Sequence, residues 1–368
     1  MKKNHFIPEL EGLRGLMALW VFISHVLYTS DIHLPILSEG GLAVHVFMIL
    51  SGFVIARLCM HNSEPYLFFL MRRLARLYPA YLIALGVGIT VSSMASSLYT
   101  ALPWQVTDYE RLTNRHALEQ AHFMPLLLGH LSLLHGVFPE EILPGSSLAF
   151  VPAAWSLSLE WQFYLFAPLL IWLLMSRRYV SVVIIGTIIN QLAMKHIAYH
   201  FTYIVPGFLP LGLAYFVVGI VSAFVFDSMR EAHKHILVWG GGGIICALLM
   251  VGISIEASHP ALPFIIWTLV LLASLQPQQL LLKILSWMLT CPPIGYLGRF
   301  SYGFYLLHQS VIICVGTELL ALGIHSKIGF LLGLAVIATP ISLGAAVISY
   351  YAVERPVMRS AQKVRHQS

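Results

Sequence analysis

Ten stretches of this chain are apolar for roughly the length a helix needs to cross a bilayer core, about 20 residues. They lie at about 12–30, 41–59, 74–95, 157–175, 179–196, 206–226, 236–254, 261–275, 294–315 and 328–352. Charged residues make up only 10% of the 368, hydrophobic ones 58%, and the mean hydropathy is +0.81. A soluble domain carries about 25% charge, so this chain cannot cover a water-facing surface of its own size. Lipid must be the solvent for most of it. The expected fold is an all-α integral membrane protein of about ten transmembrane helices.

The basic residues test that count. With the N-terminus in the cytoplasm, 15 of the 21 Lys and Arg fall on inner segments, and four (Arg111, Arg115, Lys195 and Lys327) on outer ones. Such a bias is what sets orientation in a membrane, and one missed span would spoil it. Both termini are therefore expected in the cytoplasm, and the chain in the inner (cytoplasmic) membrane. The net charge of +5 reflects this sidedness and does not call for nucleic acid as a partner. Lys2 and Lys3 before an apolar run resemble a secretory signal. No small-x-small cleavage site follows, so the run reads as an uncleaved first span. Cys59, Cys246, Cys291 and Cys314 are scattered without metal-ligand spacing, and no metal is expected.

The longest loop, about 96–156, falls outside. Its apolar stretch from Phe123 to Phe138 is short for a span and reads as a partial or interfacial helix roofing the outer face. The loop histidines His116, His122, His130 and His135 match no metal site and are expected to face solvent or the interface. Gly240–Gly243 lies in an apolar segment, where small residues permit close helix packing. No soluble domain is expected after the last span: residues 1–356 form the membrane domain and 357–368 a short basic cytoplasmic tail.

Ionisable groups inside spans are costly and usually face a cavity or the bundle interior. Arg14 and His25 are eleven residues apart, which is three helical turns plus about 20°, so they share one stripe, about 16 Å apart along the axis. His45, Glu160 and His308 fall, like His25, in the outer half of their spans. Ser301, Tyr305 and His308 share a helix face by i, i+4, i+7 spacing, and Ser156 and Ser158, just before Glu160 in sequence, join His45 and these three as cavity or acceptor candidates. A shared polar cavity would explain that common depth. At the inner end, Arg73 and Arg76 are i, i+3 neighbours able to grip a phosphate bidentately, or simply to anchor against anionic lipid. A polar path from a phosphate-competent inner patch to an outer His/Glu cluster suits an enzyme with a cytoplasmic donor and an external acceptor. It also suits a proton-coupled transporter, although no repeated half is visible. A carrier that only moves acyl groups across the membrane is a third possibility.

Several segments carry a resemblance. They are Arg14-x10-His25, the run Val46 to Phe53, Arg73-x-x-Arg76 with Tyr78-Pro79, Trp155 to Tyr164, Gly298 to His308, and Glu354-Arg355-Pro356. In this order the chain resembles the acyltransferase-3 family of membrane acyltransferases, as a stand-alone member without the C-terminal esterase-like domain some members carry. The resemblance implies acetyl-CoA or another short acyl-CoA as donor substrate, with no permanently bound cofactor. It implies a carbohydrate hydroxyl as acceptor, on a surface polysaccharide, lipopolysaccharide O-antigen or lipid-linked glycan. His25 matches the family's essential histidine, Arg14 its partner, and Arg73 and Arg76 its donor-binding arginines. His25 is then expected as general base or relay, or as a covalent acyl carrier. Glu160 is expected to orient an imidazole or bind sugar hydroxyls, and Arg14 to hold the donor or stabilise charge on the thioester oxygen.

Overall fold

A computed structural model describes residues 6–62, 64–174, 195–197, 199–231, 261–276 and 278–364, with residue 192. Among the described residues every regular element is helical. In hydrocarbon each backbone N–H and C=O needs an internal partner, which a helix supplies within one segment. Six helices are long and apolar enough to cross a membrane. They are α1 (Pro8–Thr29), α2 (Gly40–His61), α3 (Tyr66–Ala101), α7 (Leu209–Glu231, its span ending at Met229), α10 (Pro292–Ala321) and the run Lys327–Ser360. A seventh crossing is present if α8 (Leu262–Leu275) and α9 (Leu280–Thr290), bent by 98° at their junction, form one broken span. Helix α9 occupies what the hydropathy pattern leaves as a connecting segment. The stretch expected at 157–175 is α6 (Trp155–Leu174), with Pro168 inside it. The expected spans at 179–196 and 236–254 fall almost wholly outside the described residues, and a count of ten is not reached among those described.

The last span is longer and less regular than the pattern suggests. It comprises α11 (Lys327–Gly333), α12 (Thr339–Ser349) and α13 (Arg355–Val364), joined by π turns at Leu334–Ala338 and Tyr350–Glu354. Each π turn is followed by a proline at the second position of the next helix, Pro340 and Pro356. A proline cannot donate to the carbonyl one turn back, and widening the preceding turn accommodates its ring. The helix runs through residues 356 and 357, so the basic tail begins as helix rather than as a separate segment.

Helix α1 lies in the core, packed along α10 on one side and α2 on the other, while α2 packs along α7. The α1–α10 contact is backbone against backbone. A Cβ on Gly15 would stand 2.6 Å from the amide nitrogen of Gly298, and backbone cannot yield as a side-chain end can. Gly15→Val is expected to destabilise the fold by about 3 kcal/mol or more through overpacking. Gly86→Ala, where an added Cβ meets nothing within 4 Å, should be neutral or stabilising by about 0.5–1 kcal/mol. Thermal unfolding in detergent checks both, and a Gly15→Val midpoint equal to wild type would refute the close-packing account.

The loop after α3 contains α4 (Tyr109–Ala121), α5 (Phe123–Leu131) and a short 3-10 turn at His135–Val137. The apolar stretch is thus a helix that ends early, and α4 is an element that its polar sequence concealed. Two of the loop histidines correct the expectation of solvent exposure. His130 and His135 are fully buried, their rings stacked 3.9 Å apart within 5° of parallel. Tyr81 on α3 hydrogen-bonds His130 Nδ1 at 2.8 Å, and His135 Nε2–H donates to the Ala154 carbonyl at 3.1 Å. The pair therefore pins the loop to α3 and to the start of α6. Burial, then the neighbouring ring, hold His130 well below the ordinary imidazole range, and burial pushes His135 down to about 4.

The unfolded chain takes up protons on these rings near pH 6.5 while the folded chain resists. Stability from this pair is therefore full above pH 6.5 and falls as the pH drops from there toward 4. The thermal midpoint should fall between pH 7.5 and 5, and His135→Phe should flatten that decline. An unchanged slope in the variant would remove the pair from the account.

Candidate active site

Three chambers follow one another through the bundle. The arginine chamber, about 420 Å³, lies among the start of α1, the end of α2 and the start of α3, and is lined by Glu11, Arg14, Arg57, His61, Arg73 and Arg76. The middle chamber is smaller, about 90 Å³, and shares Arg14, Arg73, Arg76 and Val54 with the first. It adds Ser51, Ser156, Glu160, Tyr164, Ser301, Tyr302 and Tyr305. The histidine chamber, about 320 Å³, shares Val44 and Tyr305 with the middle one and is lined by His25 under the roof formed by α4. Shared walls make the three a single file.

The unbroken helix α1 realises the Arg14–His25 stripe, with Arg14 on the first two chambers and His25 on the third. Arg73 stands over the rings of Phe69 and Tyr164, 5.9 and 6.0 Å from their centroids, and its buried Nε has no hydrogen-bond partner. Arg72 turns aside to pair with Glu64. Arg73 and Arg76 are thereby presented together to both chambers. The arginine chamber also holds Arg57 and His61, which grip opposite oxygens of Asp227 at 3.0 and 2.7 Å.

At the far end, His25 Nδ1 lies 2.7 Å from His308 Nε2, and His308 Nδ1 lies 2.7 Å from the Tyr305 carbonyl. A carbonyl only accepts, so His308 Nδ1 carries hydrogen. In the neutral ring Nε2 is then the acceptor. It takes the hydrogen of His25 Nδ1, which leaves the lone pair of His25 on Nε2. This assignment follows from the hydrogen-bond chain, and it gives His25 one defined basic nitrogen.

The other expected residues divide. Tyr305 donates to the Ala153 carbonyl at 2.9 Å and meets Ser156 Oγ at 2.8 Å, forming the wall between middle and histidine chambers. Ser301 lines the middle chamber while its hydroxyl donates to the Gly298 carbonyl at 2.8 Å. Glu160 does not join the histidines. It accepts from Ser51 Oγ at 3.2 Å and from the Tyr164 hydroxyl, and it lines the middle chamber with the three arginines. Position along a helix does not say which neighbour a side chain faces. His45 lies flat on Tyr215, centroids 4.1 Å apart, and lines none of the three chambers.

Ser158 is fully buried on the opposite side of α6 from Ser156, two residues being about 200° apart. There it accepts from the Gly136 amide at 3.1 Å and from Gln162 at 3.3 Å. Tyr164, Tyr302, Arg115 and Gln309 were not singled out from the sequence. Tyr164 carried a usable signal, being one turn beyond Glu160, and Gln309 carried none. Among the described residues no three His, Cys, Asp or Glu side chains converge as a metal site would require.

Apolar helices long enough to span a membrane, enclosing a file of polar chambers with arginines at one end and paired imidazoles at the other, define a multi-pass membrane protein. Residues 7–351 match the family described as the acyltransferase domain, acyltransferase-3, and the chain belongs to that family. It is 26% identical over 346 residues to acyltransferase MdmB of Streptomyces mycarofaciens, covering 83% of this chain and 79% of that one. It is 26% identical over 367 residues to O-acetyltransferase OatA of Staphylococcus aureus, covering 86% of this chain but 52% of OatA, about half its length. A putative acetyltransferase of Acidianus two-tailed virus is 25% identical over 91% of this chain and 89% of that one. No solved structure matches. The chain is a membrane acyltransferase.

Proposed function

We propose that the enzyme moves an acetyl or other short acyl group from cytoplasmic acyl-CoA to a hydroxyl of a surface polysaccharide or lipopolysaccharide O-antigen sugar. It does so in the inner membrane, with both termini cytoplasmic. The observation that carries the reading is the file of chambers joining Arg14, Arg73 and Arg76 to the His25–His308 pair. The similarity to OatA, an O-acetyltransferase, supports acetyl as the group and oxygen as its destination.

In this reading Arg73 and Arg76 hold phosphates of the donor by charge-assisted hydrogen bonds. Its flexible arm extends past Arg14 toward Tyr305. His25 Nε2 takes the proton of the acceptor hydroxyl as that oxygen attacks the thioester carbonyl. His308 Nε2 accepts from Nδ1–H of the resulting imidazolium and holds it in place. When the tetrahedral intermediate collapses, the C–S bond breaks. The proton on His25 then goes to the departing thiolate, giving an ester and free CoA. Arg14, which lines the first two chambers and lies about 16 Å from His25 along α1, holds the donor, and Glu160 balances the arginines around it.

The test supplies membranes containing the protein with acetyl-labelled acetyl-CoA and the host glycan. Label in a base-labile ester on the glycan, with one free CoA per ester, is expected. Label carried across the membrane with no ester formed would instead indicate an acyl carrier.

A further inference from the structure

The histidine chamber is lined by two arginines and Gln309 as well as by His25. Arg111 and Arg115, one turn apart on α4, both line it. Arg111 donates to Asp108 at 2.5 Å. Arg115 is only 8% exposed and forms an ion pair with Glu119, whose Oε1 lies 3.4 Å from Nε, beyond good hydrogen-bond length. That carboxylate is committed elsewhere: Oε1 accepts from the Phe150 amide at 2.8 Å, and Oε2 from the Ser92 hydroxyl. Arg115 Nε is consequently buried without a hydrogen-bond partner, and so is Oε1 of Gln309, which lines the same chamber beside His308 in sequence.

Buried polar atoms without a hydrogen bond are costly, and the two residues that carry them line one cavity next to a base, where a ligand would supply partners. The two ask for different partners. A sugar hydroxyl can donate to Gln309 Oε1. A guanidinium has no acceptor capacity and is best met by an anion with oxygens in a plane. A volume of about 320 Å³ is at the lower end for a small-molecule site, enough for one sugar unit of a longer chain.

We infer that the histidine chamber selects an acidic glycan: one bearing a carboxylate or phosphate that Arg115, assisted by Arg111, binds, while Gln309 accepts from a non-reacting hydroxyl beside His25. This rests on the acyl-transfer reading only for the identity of the occupant as acceptor. The site itself can be tested by binding alone.

Equilibrium dialysis of the full-length protein in detergent, with radiolabelled glucuronate, glucose 1-phosphate and glucose, separates the sources of the charge. At least one acidic sugar should bind about ten-fold more tightly than glucose, the scale of one charged hydrogen bond. Preference for glucuronate assigns a carboxylate, and preference for glucose 1-phosphate a phosphate. Arg115→Gln should abolish the preference. Should that variant fail to fold, Arg111→Gln, at a side chain one-third exposed, should weaken it. Equal binding of the three sugars, binding of none, or full preference in the folded variants overturns the inference. An acid-selective protein that transfers no acyl group leaves the selectivity standing and sinks the acyl-transfer reading. Acyl transfer without acid preference sinks the selectivity alone.

Discussion

His25→Ala is expected to reduce acyl transfer to the glycan by about 10³-fold, within the 10²–10⁴ range that a positioned general base contributes. The argument rests on which nitrogen is free. His308 is tied through Nδ1 to the Tyr305 carbonyl, so it can only accept from His25 Nδ1, and His25 Nε2 is left as a base beside the histidine chamber. His25→Gln, which retains hydrogen bonding but cannot take a proton at neutral pH, should be as inactive as His25→Ala. His308→Gln should be milder, about ten-fold, because an amide oxygen still accepts from His25 Nδ1–H but answers its charge less well. Initial rates of ester formation, with folding checked by size exclusion, measure all three. Normal transfer by both His25 variants would remove the base from the mechanism. A His308→Gln enzyme as inactive as His25→Ala would give His308 a proton-carrying part of its own.

Much of this site could be read from spacing. Arg14 and His25 share a stripe because 3.6 residues per turn is a property of any unbroken helix, and α1 is unbroken. The i, i+3 spacing of Arg73 and Arg76 survives for the same reason. What spacing does not give is the rotation of one helix against its neighbours. Glu160 and His45 are both polar positions within apolar helices, yet one faces the arginines and the other stacks on Tyr215. The His25–His308 contact joins residues 283 apart in sequence, and only the packing of α1 on α10 brings them together. That packing depends on Gly15 meeting Gly298, whose meaning is invisible until the two backbones are side by side. The buried loop histidines were misjudged because loops usually lie on the surface. Here the loop folds back as a lid on the bundle, and its backbone and rings are partnered by Tyr81, Ala154 and Ser158.

Replacing Arg73 and Arg76 together by glutamine is expected to raise the KM for acetyl-CoA by about 10²-fold or more, with kcat nearly unchanged. Each arginine should lose a charge-assisted contact of about 1.5–3 kcal/mol, and an interaction equally strong in ground and transition states appears in KM rather than kcat. Arg73 already has a buried Nε without a partner, and its ring stacking on Phe69 and Tyr164 holds the guanidinium ready for an anion. The same replacement also weakens the positive end of the protein's surface field, so a general loss of anion attraction must be told apart from a specific phosphate contact. Acetyl-pantetheine, which has the thioester but none of the phosphates, does this. Wild type should use it poorly, and the double variant should use it no worse than wild type. A penalty of equal size on both donors would mean that the arginines act at the thioester or in folding, and would remove the phosphate grip from Arg73 and Arg76.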